Sequence, residues 1–174
     1  MRGLRDPVPD TAEDPIFVAW TMLLAQLNIA HMLEPIDSPV MASFVALIDE
    51  VNARADRAAG FVWRLKFDDG PGSLEHRIFD DDALLVNMSV WTDAQSLFDF
   101  VYRNEEHRSA LRRRGEWFGA VSDATTVCWW VDEGHRPTVR EAQDRLVLLR
   151  EEGPSVQAFP FRRTIPTHLH PPSP

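Results

Sequence analysis

The sequence predicts an α+β fold in which six elements follow the order β-α-β-β-α-β and one more helix is appended. Three observations carry this prediction. Four short apolar runs, LLAQLNIA (23–30), FVWRLKF (61–67), LLVNMSVW (84–91) and TTVCWWV (125–131), have the length and the β-branched or aromatic content of buried strands. Between and after them, apolar residues recur at three- and four-residue spacings, the period of a helix with one buried face. Capping residues, glycines and prolines punctuate the boundaries.

After the first strand, residues 38–60 read as a helix, because Val40, Phe44, Leu47, Ile48, Val51 and Ala55 share one face. Ser38 is its expected cap, Pro39 its first-turn residue and Gly60 its stop. A polar turn, DDGPGS (68–73), follows the second strand. Thr92 and Gln95 form a capping-box pattern that opens a helix through Phe98 and Val101, interrupted at Asn104. The next helix has Glu105 and Glu106 in its first turn and Arg112, Arg113 and Arg114 toward its end, the charge order that the helix dipole favours. Thr138 and Glu141 form a second capping box; Val139, Ala142, Leu146 and Leu149 make the stripe of the last helix, and Gly153-Pro154 stops it. AFPF (158–161) is expected as an edge strand. This order is the split β-α-β arrangement of ferredoxin-like folds, in which two right-handed crossovers set strands one and three side by side at the centre of an antiparallel sheet. The expected organisation is a flexible N-terminal tail (1–20), one domain (21–163) and a flexible, Pro-rich C-terminal tail (164–174).

With 174 residues, 44% hydrophobic and 26% charged, the chain is long enough for one self-sufficient core. The net charge of −9, with the arginine run lying among acids, argues against nucleic acid as a partner. The single cysteine, Cys128, excludes an intramolecular disulfide and multi-cysteine zinc sites, and in TTVCWWV it reads as a buried, inert thiol. MRGLRDPVPDTAEDP lacks the apolar stretch of a signal peptide, and the run at 16–29 is too short to span a bilayer, so a cytoplasmic protein without a membrane anchor is expected. Glycine-rich phosphate loops and serine-hydrolase or zinc-protease motifs do not occur.

Asn87 in the middle of LLVNMSVW poses the functional question, because a buried amide without partners costs about 1–3 kcal/mol. LLAQLNIA repeats the pattern with Gln26 and Asn28. Alternation along a strand puts Gln26 and Asn28 on one face, and Leu85, Asn87, Ser89 and Trp91 on one face of the neighbouring strand. On the following helix His107, Leu111, Arg114 and Phe118 share a face, flanked by Trp117. A cavity between sheet and helices would then have Asn28, Asn87 and Trp91 on its floor, His107 and Arg114 on its wall, and Trp63, Tyr102, Trp117 and Trp129 at its sides. The competing reading pairs the two asparagines in a structural network and places the tryptophans in the core or a subunit interface. His135 and Arg136, in a loop entering a helix, are read as loop geometry, and His168 and His170 receive no role.

The segments LAQLNIA, FVWRL, LLVNMSVWTDAQSLFDFVYR, EEHRSALRRRGEWF and CWWVDEGHRPTVREAQDRL together resemble a bacterial family of uncharacterised domains in the dimeric α+β barrel superfamily, over residues 23–162. The resemblance implies a homodimer in which two protomer sheets form a barrel. It also implies kinship with antibiotic-biosynthesis monooxygenases and haem-degrading monooxygenases. In the first, a strand Asn and a Trp hold an aromatic substrate that reacts with oxygen without a cofactor. In the second, an Asn, a Trp and a His surround haem, and Asn28, Trp91 and His107 correspond, with Tyr102 nearer than His107 to the expected place of the ligand.

The leading expectation is an enzyme of small-molecule metabolism, monooxygenase-like or otherwise tailoring, acting on an aromatic or polyketide-like substrate. Asn28 and Asn87 would stabilise developing charge and His107, its charged form disfavoured by the helix N-terminus, would be the base. The alternatives are a haem protein with His107 as axial ligand and Arg114 near a propionate, and a non-catalytic binding or interaction module. Val86, Met88 and Val90 are expected to offer an apolar sheet face to a second copy.

Overall fold

The computed structural model of the protein describes residues 22–66, 77–103, 105–162 and 164–171. The expected N-terminal tail (1–20), the DDGPGS turn and Asn104 lie outside the described residues. The chain runs β1 (Met22–His31), α1 (Ala42–Ala55), β2 (Phe61–Arg64), β3 (Leu84–Trp91), α2 (Ala94–Arg103), α3 (Glu105–Arg113), β4 (Thr126–Asp132) and α4 (Val139–Glu152). The four strands form one antiparallel sheet in the order β2-β3-β1-β4, with strands one and three side by side at its centre.

Period-two alternation divides the sheet into two chemically different faces. One carries Leu23, Ala25, Leu27, Ile29, Val86, Met88, Val90, Val127, Trp129 and Val131, all buried. They form one cluster with Val139, Ala142, Leu146 and Leu149, the stripe of α4. This overturns the reason for a symmetric partner: Met88 and Val90 are 0% exposed within a single chain, because α4 and the segment around Ile78 and Phe79 pack on the face where a second copy's sheet was expected. The other face carries Leu24, Gln26, Asn28, Leu85, Asn87, Ser89 and Trp91, beneath α1, α2 and α3.

Several boundaries differ from expectation for local reasons. Residues 38–41 form a turn in which the Met41 N–H donates to the Ser38 carbonyl (3.1 Å), so α1 starts at Ala42 and Ser38 caps a turn, not a helix. Gly60 does not end α1; it turns into β2 at φ +75°, where a Cβ would fall 2.2 Å from the Ser96 hydroxyl. The cap of α2 is Asp93, whose carboxylate accepts from the Ser96 N–H (2.7 Å) and the Thr92 hydroxyl (2.9 Å). At α4 Thr138 does accept from the Glu141 N–H (3.1 Å). Glu141 does not close the box; its carboxylate accepts from Trp129 Nε1 (2.9 Å) and meets His135 Nε2 (2.8 Å).

AFPF contributes no strand: the Phe159 backbone bridges that of Cys128 on the outer edge of β4, and Ala158 bridges Ser155 locally. The segment expected as a loose C-terminal tail is held in place through residue 170. Ile165 and Leu169 are buried in a second cluster with Leu24, Trp91, Leu97 and Cys128, and the Leu169 carbonyl accepts from Trp130 Nε1 (2.8 Å). His170 lies over Trp130 at 5.1 Å with its Nε2 3.1 Å from the Ile165 carbonyl, a structural contact.

Candidate functional site

The polar sheet face and the three helices above it enclose a cleft of about 340 Å³. The register sets Asn28 directly opposite Asn87 and Gln26 opposite Ser89, so four polar side chains form adjacent rows of its floor. Leu24, opposite Trp91, closes the row at one end.

The floor is a set of oriented hydrogen bonds. Trp91, 1% exposed, donates its indole N–H to the Ser89 hydroxyl (2.9 Å), which donates to Gln26 Oε1 (3.2 Å). An indole can only donate and a hydroxyl has one hydrogen to pass on, so the relay ends by holding the Gln26 carbonyl. The Gln26 amide nitrogen, in a side chain only 8% exposed, has no acceptor among the described residues and lines the cleft as a donor. Asn28 has the opposite polarity. Its Nδ2 donates to the Thr126 hydroxyl (2.9 Å) and at 3.4 Å to the Thr125 carbonyl, which leaves its Oδ1 as an acceptor. The two asparagines therefore do not satisfy each other, and Asn87 is exposed. The puzzle of a buried Asn87 dissolves, because the side chain stands in an open cleft where water reaches it.

On the wall, His107 is half-buried in α3 against Phe100, with ring centroids 5.1 Å apart. Its Nδ1 lies 3.0 Å from the Val101 carbonyl, which can only accept, so Nδ1 carries the hydrogen and the neutral ring has its lone pair on Nε2. Burial lowers its pKa below 6.5, partly opposed by the Val101 carbonyl. Desolvation is thus the largest cause that keeps this imidazole neutral.

Asn28, Asn87, Trp91, Tyr102, His107, Arg114 and Trp117 all line this cleft. Trp63 and Trp129 do not. Trp129 is fully buried on the opposite face beneath α4. A bulge between Phe61 and Trp63 pairs Trp63 with Val90, and its ring packs against the α4-side cluster. Trp117 is mostly a core residue, 1% exposed with its N–H on the Ser43 hydroxyl (2.9 Å). Gln26 and Ser89 belong to the site by the same two-residue spacing that pointed to Asn28 and Asn87. No group of His, Cys, Asp and Glu among the described residues could hold a metal ion. Cys128 is buried, and desolvation drives its thiol well above the ordinary range, consistent with inertness.

Fold and site together define an α+β domain with a ligand-sized cleft between its sheet and its helices. Residues 23–172 match the family described as Domain of unknown function (DUF3291), and the chain belongs to that family. It matches no curated protein and no solved structure. No helix among the described residues is long and apolar enough to cross a membrane.

Proposed function

We propose that this protein is an enzyme of small-molecule metabolism whose aromatic or polyketide-like substrate lies in the cleft between the sheet and α1–α3, in a cofactor-independent, monooxygenase-like or related tailoring reaction. We read its β2-β3-β1-β4 sheet as a ferredoxin-like protomer in which α4 takes the face that a dimeric barrel would share. The observation that carries the functional reading is the convergence, on one cleft, of a neutral imidazole with an outward-facing donor and acceptor.

We divide the roles differently from the sequence expectation. His107, neutral at physiological pH, is the base that takes a proton on Nε2. Gln26 and Asn87 supply the amide hydrogens that a developing oxyanion needs. Asn28, whose N–H groups are used, accepts from a substrate hydroxyl through Oδ1. Trp91, Phe100 and Tyr102 offer the aromatic sides.

The test is a panel of hydroxyaromatic compounds incubated with the protein in air, followed by mass detection of oxygenated or rearranged products. His107→Ala and Asn87→Ala should abolish turnover while leaving the thermal melt near that of the wild type. An unchanged rate in either variant would sink the assignment.

A second reading, haem binding, has one observation in its favour. The Nδ1–H bond to the Val101 carbonyl is the anchoring that metal-bound imidazoles use. His107 would then hold the haem iron and Arg114 would pair with a propionate, and the haem would supply the oxygen chemistry when bound. Titration with haemin decides: this reading requires a saturable Soret band that His107→Ala removes.

A further inference from the structure

We propose that the cleft selects organic anions, compounds with an aromatic or apolar body and a carboxylate or similar oxyanion, and that Arg114 is the residue that recognises the charge. This rests on the cleft being a small-molecule site and names the class of molecule it takes.

The first argument is the distribution of charge. The chain has 27 acidic against 18 basic residues, yet among the described residues lining the cleft there is no Asp or Glu, while Arg64, Arg114 and His107 are present. A neutral or positive cleft in an acidic protein is where an anion has its lowest electrostatic energy.

The second argument is the pairing of the arginine run. Arg112 donates to Glu105 (2.8 Å) and Arg113 forks onto Glu116 (2.8 and 3.0 Å), so these two acids are already used. Arg64 is likewise held by Asp56 (2.8 Å). Arg114, a solvent-exposed residue of the cleft lining, has no hydrogen-bond or ion-pair partner among the described residues. A guanidinium with its fork unoccupied is suited to a planar carboxylate, which it can grip through two parallel N–H bonds.

The third argument is the floor. Gln26, nine-tenths buried, has its carbonyl taken by the Ser89 relay and turns its amide hydrogens to the cleft, so a second oxygen on the ligand meets a donor. The long apolar stretch of lining between these polar points, including Phe44, Leu47, Val51 and Phe100, suits a hydrocarbon body.

The experiment is a binding titration, followed by tryptophan emission and by calorimetry, of the full chain with benzoate, 2-naphthoate and anthracene-2-carboxylate, each beside its neutral amide. At least one carboxylate should bind about tenfold more tightly than its amide, the worth of one charge-assisted hydrogen bond at a partly exposed site. That preference should collapse in Arg114→Gln and survive in Arg57→Gln, an exposed arginine outside the cleft. Equal binding of acids and amides, or a preference that survives Arg114→Gln, overturns anion selection while leaving the small-molecule reading standing. Failure of every acid and every amide to bind overturns both.

Discussion

Replacing Ser89 by alanine tests the floor of the cleft most directly. The hydroxyl is the middle of a three-residue relay, accepting from the Trp91 indole at 2.9 Å and donating to Gln26 at 3.2 Å. Its removal strands the indole N–H of a side chain that is 1% exposed and that sits between Phe61 and Phe100, at 5.4 and 5.2 Å, with the Ser89 hydroxyl as its hydrogen-bond partner among the described residues. The Gln26 carbonyl is less exposed to harm, since the side chain borders the cleft and can meet water. Counting only the stranded donor, the cost is that of one buried unsatisfied group, about 1–3 kcal/mol. For a chain of this size 2 kcal/mol corresponds to a fall in Tm of roughly 4–8 °C. Thermal and urea melts followed by tryptophan emission measure it, with an unchanged urea m-value showing that the denatured state is not the cause. Gln26→Met alone should cost less, and the double variant should be less destabilised than the sum of the singles, with a coupling on the order of 1 kcal/mol. A Ser89→Ala variant within about 0.5 kcal/mol of wild type, or strict additivity in the cycle, would refute the relay.

Two further outcomes follow from the same structure. Because burial holds the His107 imidazole below its ordinary 6.5, the unfolded chain takes up the proton first as pH falls. The contribution of this group to stability is therefore complete above the unfolded value and is lost as pH drops through the window beneath it. Wild type should lose more stability than His107→Gln between roughly pH 7 and pH 5, and parallel stability curves would contradict the burial argument. On the other face, Leu146→Ala should cost about 2–5 kcal/mol, because Leu146 is fully buried where α4 covers the sheet. A loss under about 1 kcal/mol would mean that α4 is not packed as described.

Much of the architecture was legible because it is written in short-range periods. The two-residue alternation of LLAQLNIA and LLVNMSVW assigned Gln26, Asn28, Asn87, Ser89 and Trp91 to their faces, and the register of β1 on β3 brings those faces together. The stripe Val139, Ala142, Leu146, Leu149 and the Thr138 cap located α4 within a residue. Caps with two adjacent candidates were less legible. Thr92 and Asp93 both suit an N-cap, and which oxygen reaches the Ser96 N–H depends on the angle at which the chain leaves β3.

The sequence by itself determined the α+β class, the four strands of the sheet and the two-faced character of the central strands, because each depends on neighbours only a few residues apart. Only the tertiary structure decided what lies against each face. A single bulge in β2 moved Trp63 to the far side of the sheet, and α4 buried the apolar surface that had suggested a partner chain. The same assembly left Asn87 in an open cleft and gave Asn28 to Thr126. Periodicity says that two side chains share a face. Whether that face meets water, a helix or a ligand depends on contacts between residues far apart in the chain, as between Asn28 and Thr126, and no local pattern encodes them.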